Sequence, residues 1–256
     1  MFGLLLSCMA LASCAKPAGT GAAEQASASA AEAVASTAQE PAHVLLFVLP
    51  DSTAPADLAS NLSAWEASGM LANVNLVKRF GYEEKDGHDA GFNELAVLEF
   101  ASESDYEKWQ STEAAKLGKD VIATRVDVLL HRVSSKNNPE TSIFVVGQYE
   151  SLVSAREYQD YTDAYIEPNM ANQMFSGIMT RYTMYLEREA KVSERPRAVL
   201  VTEYLNQEEY ERKSAVKNAY KQVLLGGTHP EWARINGIKK TLRVDKSETY
   251  ANPVKL

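Results

Sequence analysis

Two arginines stand out because the chain carries them twice in the same surroundings. Residues 122–132 read IATRVDVLLHR and residues 178–188 read IMTRYTMYLER, sharing Ile, Thr, Arg, Leu and Arg at five offsets. A guanidinium on a half-buried surface either holds a carboxylate or phosphate or closes an ion pair. On a strand, alternate side chains share a face, so Arg125 travels with Asp127, Leu129 and His131, and Arg181 with Thr183, Tyr185 and Glu187. An imidazole can pass a proton near neutral pH, and a phenol can hydrogen-bond or stack. Arg125, His131, Arg181 and Tyr185 are therefore the first candidates for contact with a ligand. Tyr158, Tyr161 and Tyr165 follow at i, i+3 and i+7 of an expected helix, one stripe that serves either as a packing face or as an aromatic ligand box. If Arg125 and Arg181 both point inward, they require compensation from Asp127, Glu187, Glu99 or Glu203, or from an anionic ligand, because an unpaired buried charge is costly.

No motif names a reaction. There is no GxGxxG, no phosphate-binding loop, no HExxH and no GxSxG. The four histidines, His43, His88, His131 and His229, are not spaced as a metal pair, so no metal site is expected, and no motif identifies a cofactor. Cys8 and Cys14 are the only thiols, which excludes a disulfide framework or a cysteine nucleophile beyond them. A formal charge of -8 without a basic stripe argues against nucleic acid as a partner.

The elements that must position these residues repeat as well. Short apolar strands end at Glu99-Phe100, Gln148-Tyr149 and Glu203-Tyr204, each followed by a Tyr-bearing amphipathic helix opening near Tyr106, Tyr158 or Tyr210. Helix starts are expected at the capping boxes 104–107 and 154–157 and at Asn206, with stops at Gly69, Gly118 and Gly226-Gly227. The last strand is expected over 238–245. In the repeat strands Ile122, Thr124, Val126, Val128 and Leu130, with their counterparts Ile178, Thr180, Tyr182, Met184 and Leu186, form the apolar face expected under the helices. The organisation is a unit at 43–133, a linker at 134–140 without apolar residues, a second unit at 141–246 and a tail at 247–256. Two strand-helix-strand pairs per unit make βαββαβ. The order of elements and the repeat resemble the ferredoxin-like α+β barrel superfamily, and the series Tyr158, Tyr161, Pro168, Gly177 resembles small antibiotic-monooxygenase-like domains.

That resemblance implies an α+β fold of two fused ferredoxin-like units forming a pseudo-dimeric barrel. Because no catalytic constellation is visible, the first function expected is non-enzymatic binding of a small ligand or a partner protein; the resemblance adds a cofactor-independent oxygenase-like enzyme acting on a small aromatic, and haem binding through an axial His131 or His229. The beginning of the chain bears on location. Residues 1–13 form a short apolar run suited to a signal peptide, ending Leu11-Ala12-Ser13-Cys14. This resembles the bacterial lipobox, which implies cleavage before Cys14 and lipidation of its thiol. Ala15 at the next position favours the outer membrane in that class of signals. Residues 14–42, rich in Ala and Ser and free of aromatics, read as a disordered tether. The expectation is a lipid-anchored envelope protein facing the periplasm, whose partner is a small molecule or an envelope protein.

Overall fold

The computed structural model describes residues 40–50, 57–86, 91–136, 139–190 and 194–256. The expected signal segment, residues 14–39 of the tether and Cys14 itself lie outside them. The first half runs β1 (Ala42–Val48), α1 (Leu58–Ala67), β2 (Asn73–Glu84), β3 (Glu94–Phe100), α2 (Glu103–Thr112) and β4 (Val121–Val133). In the second half β5 (Ile143–Ser151) leads to α3 (Ala155–Tyr161), which continues through a π turn at Thr162–Ile166 into α4 (Glu167–Phe175). There follow β6 (Met179–Glu187), β7 (Arg197–Tyr204), α5 (Gln207–Glu211), α6 (Lys213–Val223), α7 (Pro230–Ile238) and β8 (Arg243–Val254).

Each half orders its strands alike, β4-β1-β3-β2 and β8-β5-β7-β6, and the pairs β2–β8 and β4–β6 join the halves edge to edge into a closed eight-stranded antiparallel barrel. This is the expected fused α+β barrel. Helices pack against the outer face of both halves. Leu62, Trp65, Phe100 and Trp109 pack outside the first half, and Tyr158, Tyr182, Met184 and Trp232 outside the second. Leu45, Phe47, Phe92, Val146 and Val199 fill the interior.

Local signals hold in part. Leu58, Leu62 and Trp65 are buried on α1, Ser154 and Glu157 close a capping box, and Asn206 caps α5 through Glu209 N. The cap of α2, expected at Ser104, is instead Ser102, whose Oγ accepts from Asp105 N at 3.2 Å, so the first turn starts two residues earlier. The end of the chain also departs from expectation. Ile238 closes α7, and the residues assigned to a tail are strand as far as Val254. Ser247, Thr249 and Ala251 are buried opposite Gln148, Val146 and Phe144, because small side chains fit the crowded barrel interior where the neighbouring strand supplies large ones.

The larger correction concerns β4. Thr124, Val126 and Val128 do not lie under the helices; Val126 and Val128 pack with the barrel interior. Arg125 accordingly points outward. It forms a two-pronged ion pair with Glu103 on α2 and sits 4.3 Å from the ring centre of Tyr106. A β-bulge between Val128 and Leu130 then shifts the register. Leu130 joins the outer cluster opposite Met184, and His131 comes inward opposite Thr183. The two repeated arginines thus face opposite sides of the barrel wall. An inserted residue reverses the facing of everything beyond it.

Candidate functional site

The apolar filling stops short of one end of the barrel, leaving a cavity of about 300 Å³. Val77, Leu95, Val97, Val128, Phe144 and Val201 give it apolar walls, and Tyr185 closes one side. His43, Asn73, Asn75, Glu99, His131, Arg181 and Thr183 supply its polar lining. His43 and Glu99 face each other across β1 and β3, and His131 and Thr183 across β4 and β6. The structure therefore brings together three of the four first candidates, His131, Arg181 and Tyr185, and separates Arg125 from them.

The cavity holds one balanced ion pair and one further carboxylate, Glu99. Arg181 Nε lies 2.9 Å from Glu203 Oε2, and its Nη2 donates to Asn75 Oδ1 at 3.3 Å. Glu203 is 2 % exposed and its other oxygen accepts from Ser142 Oγ at 2.7 Å. Of the four carboxylates considered for compensation, Glu203 provides it for Arg181, while Asp127 pairs with Arg188 on the outside. Burial, opposed by the Glu99 carboxylate, lowers the pKa of His43, and burial together with Arg181 lowers that of His131. Both imidazoles are therefore neutral at pH 7. Burial pushes the Tyr185 phenol up to about 12, so it is a proton donor at every ordinary pH. His131 Nδ1 lies 2.8 Å from Thr183 Oγ1, which also hydrogen-bonds the Tyr185 phenol.

Tyr158, Tyr161 and Tyr165 lie on the other side of the wall. All three are buried in the outer cluster of the second half, with ring centres 5.3 Å apart for the first pair and 5.4 Å for the second. Tyr165 stacks on Trp232 at 5.0 Å and donates from its hydroxyl to Asn236 Oδ1 at 3.0 Å. The stripe is principally a packing face. Only Tyr165 of the three lines an open cleft. His43 is a site residue that the repeat does not flag, and Glu99 stands out in it only as a strand end and a compensating carboxylate; both occupy inward positions of the first-half strands, and the antiparallel pairing of β1 with β3 is the signal that would have joined them.

The haem reading needs an axial imidazole with room for a porphyrin. His131 opens on a cavity of about 300 Å³, at the small end of ligand sites. His229 is exposed at the start of α7, and the larger cleft beside Tyr165 is lined by no histidine. These residues do not fit haem.

No family model matches the chain, and no curated protein does. Several solved structures resemble it. An anthrone oxidase-like protein shares 11% identity over 84% of this chain and 91% of its own, with a TM-score of 0.49. DyPB from Rhodococcus jostii RHA1 shares 9% over 84% and 94%, at 0.45. A mutant chlorite dismutase from Candidatus Nitrospira defluvii, in complex with cyanide, shares 9% over 84% and 91%, at 0.43. At these identities the likeness assigns no activity to this chain.

Proposed function

We propose that the chain is a lipid-anchored envelope protein whose barrel takes up a small, uncharged and mainly apolar molecule. The observation that carries the ligand class is the composition of the cavity: aliphatic and aromatic walls, two imidazoles whose burial favours the neutral form, a protonated phenol, an arginine whose charge Glu203 already balances, and a single carboxylate, Glu99. An anion would find no free positive charge there, whereas a molecule with an apolar body and one polar group finds walls and a donor. A neutral fluorescent probe, N-phenyl-1-naphthylamine, should bind the purified protein with enhanced emission. Val128→Trp, which fills the cavity from an inward strand position, should reduce that binding at least ten-fold while leaving the circular dichroism spectrum and melting temperature nearly unchanged. Undiminished probe binding in a folded Val128→Trp variant would remove the barrel as the site.

The contact between His131 and Thr183 favours a second reading, a cofactor-independent oxygenase-like enzyme acting on a small aromatic. A neutral imidazole held by a hydroxyl can accept a proton from a phenol in the cavity. Oxygen uptake on adding such a phenol to the same protein, lost in His131→Ala with probe binding retained, would select it over simple uptake.

The anchor rests on Leu11-Ala12-Ser13-Cys14 behind an apolar run. Wild-type protein expressed in a Gram-negative host should incorporate labelled palmitate and partition into detergent, and Cys14→Ser should do neither. Equal labelling of the two would eliminate lipidation at this thiol. Several acyl chains on a processed Cys14 would give stable attachment where one alone is marginal. Its location would be the outer membrane facing the periplasm, with an envelope protein as a possible further partner.

A further inference from the structure

The outer side of the second half carries a cleft that shares no lining residue with the barrel cavity. Strands β5, β7 and β8 form its floor, turned away from the interior, and α4, α6 and α7 form its walls around about 400 Å³. Helix α6 buries no side chain of its own. It presents Lys213, Lys217 and Lys221, at i, i+4 and i+8, to the cleft. Lys239 and Arg243 add two more cations, and Glu248 is the sole lining carboxylate. Glu248 is committed to Lys213 at 2.6 Å. In a chain of net charge -8, so many cations around one carboxylate is a local reversal of sign whose members repel one another. Enclosure lowers the ammonium pKa of Lys217 and Lys239, even though Lys217 still reaches solvent.

Arg243 gives the cleft its direction. Its side chain is 11 % exposed, its guanidinium stacks 3.8 Å from the ring centre of Tyr149, and its Nε lies 2.9 Å from Asp245 Oδ1. Gly147 makes room for that stack, since a Cβ there would collide with the Tyr149 hydroxyl. Nη1 of Arg243 is buried and makes no well-formed hydrogen bond among the described residues; the Tyr149 and Tyr158 phenols interact with the guanidinium but supply no charged acceptor. The nearby Tyr158 and Tyr161 hydroxyls also lack a well-formed hydrogen bond. Leaving a charged donor buried without an acceptor is far more costly than leaving a neutral one. A bound anion would supply the acceptor and relieve the repulsion among the lysines together.

We propose that this cleft binds a small organic polyanion carrying two or more phosphate or carboxylate groups, held by Arg243, Lys217 and Lys239. The volume suits a small molecule rather than a polymer. Asn236, whose Oδ1 accepts from Tyr165, keeps its NH2 as a neutral donor at the edge. Strands β5 and β7 therefore border two sites of different character, a mainly apolar one inside the barrel and a cationic one outside.

The test is calorimetric titration of the purified full chain with pyrophosphate and with citrate at low ionic strength. At least one should give saturable one-to-one binding, and which one binds assigns phosphate or carboxylate. Lys217→Gln and Lys239→Gln should each weaken it at least five-fold, while Lys108→Gln, on the exposed side of α2, should leave it unchanged. Added salt should weaken it further, and the neutral probe should still bind the barrel of every variant. Absence of saturable binding at millimolar concentration of both anions would overturn the proposal. So would equal weakening by Lys108→Gln, which would mark the attraction as diffuse.

Discussion

Replacing Arg181 with Met is expected to lower the stability of the fold by about 3 kcal/mol, the low end for breaking one partner of a buried ion pair, since Arg181 keeps some solvent contact. The loss comes less from the missing attraction than from the stranded partner. Glu203 is 2 % exposed and would retain only the Ser142 hydroxyl. The double variant Arg181→Met/Glu203→Leu should recover most of the loss, because two apolar groups of similar volume leave no unsolvated charge. Urea unfolding of the single and double variants measures both effects. A single variant within about 1 kcal/mol of wild type would mean that water reaches Glu203 and that the pair does not hold the barrel wall. Neutral probe binding should survive in each variant that folds, which separates the structural role of Arg181 from ligand contact.

Trp232→Ala should be more damaging, at about 4 kcal/mol. Trp232 is 2 % exposed, stacks on Tyr165, and donates from Nε1 to the Tyr165 carbonyl at 3.1 Å. That carbonyl belongs to the π turn between α3 and α4, where the regular helical ladder is interrupted. One side chain thus fills volume between α7 and the sheet and also satisfies backbone at an irregular turn. Trp232→Phe should retain most of the apolar contact and lose only the hydrogen bond, a deficit of about 1 kcal/mol. Thermal unfolding of the two variants distinguishes these contributions, and a Phe variant as weak as the Ala variant would place the whole effect in the hydrogen bond.

The repeat made the architecture readable, and its strand facing was readable for one copy only. In β6 the alternation holds, with Tyr182, Met184 and Leu186 outside and Arg181, Thr183 and Tyr185 inside. In β4 it fails for a physical reason. A barrel strand covered by helices is apolar on both faces, so Val126 and Val128 looked as suitable for the outside as for the inside, and the bulge at Leu129 leaves no mark in composition. Arg125 was therefore matched to Arg181 although its partner is Glu103 on the neighbouring helix. The last strand, expected at 238–245, starts later and runs on to Val254; its inward residues Ser247, Thr249 and Ala251 are ones a hydrophobic pattern does not register. The cationic cleft had a visible trace in Lys213, Lys217 and Lys221. The aromatic and aliphatic residues of α6 drew attention to packing instead, yet none of them is buried.

Strand β8 has a further meaning for the order of assembly. Its residues pair with β5 along 243–251 and with β2 along 247–254, so one short segment completes the second sheet and seals one of the two seams between the halves. During synthesis that segment leaves the ribosome last, after every other strand. The first half can form its four-stranded sheet early, but its β2 edge stays open until residue 254 is available, some 170 residues after β2 itself has emerged. Ring closure is thus the final event and depends on a contact between distant parts of the chain, which makes it slow relative to local helix formation.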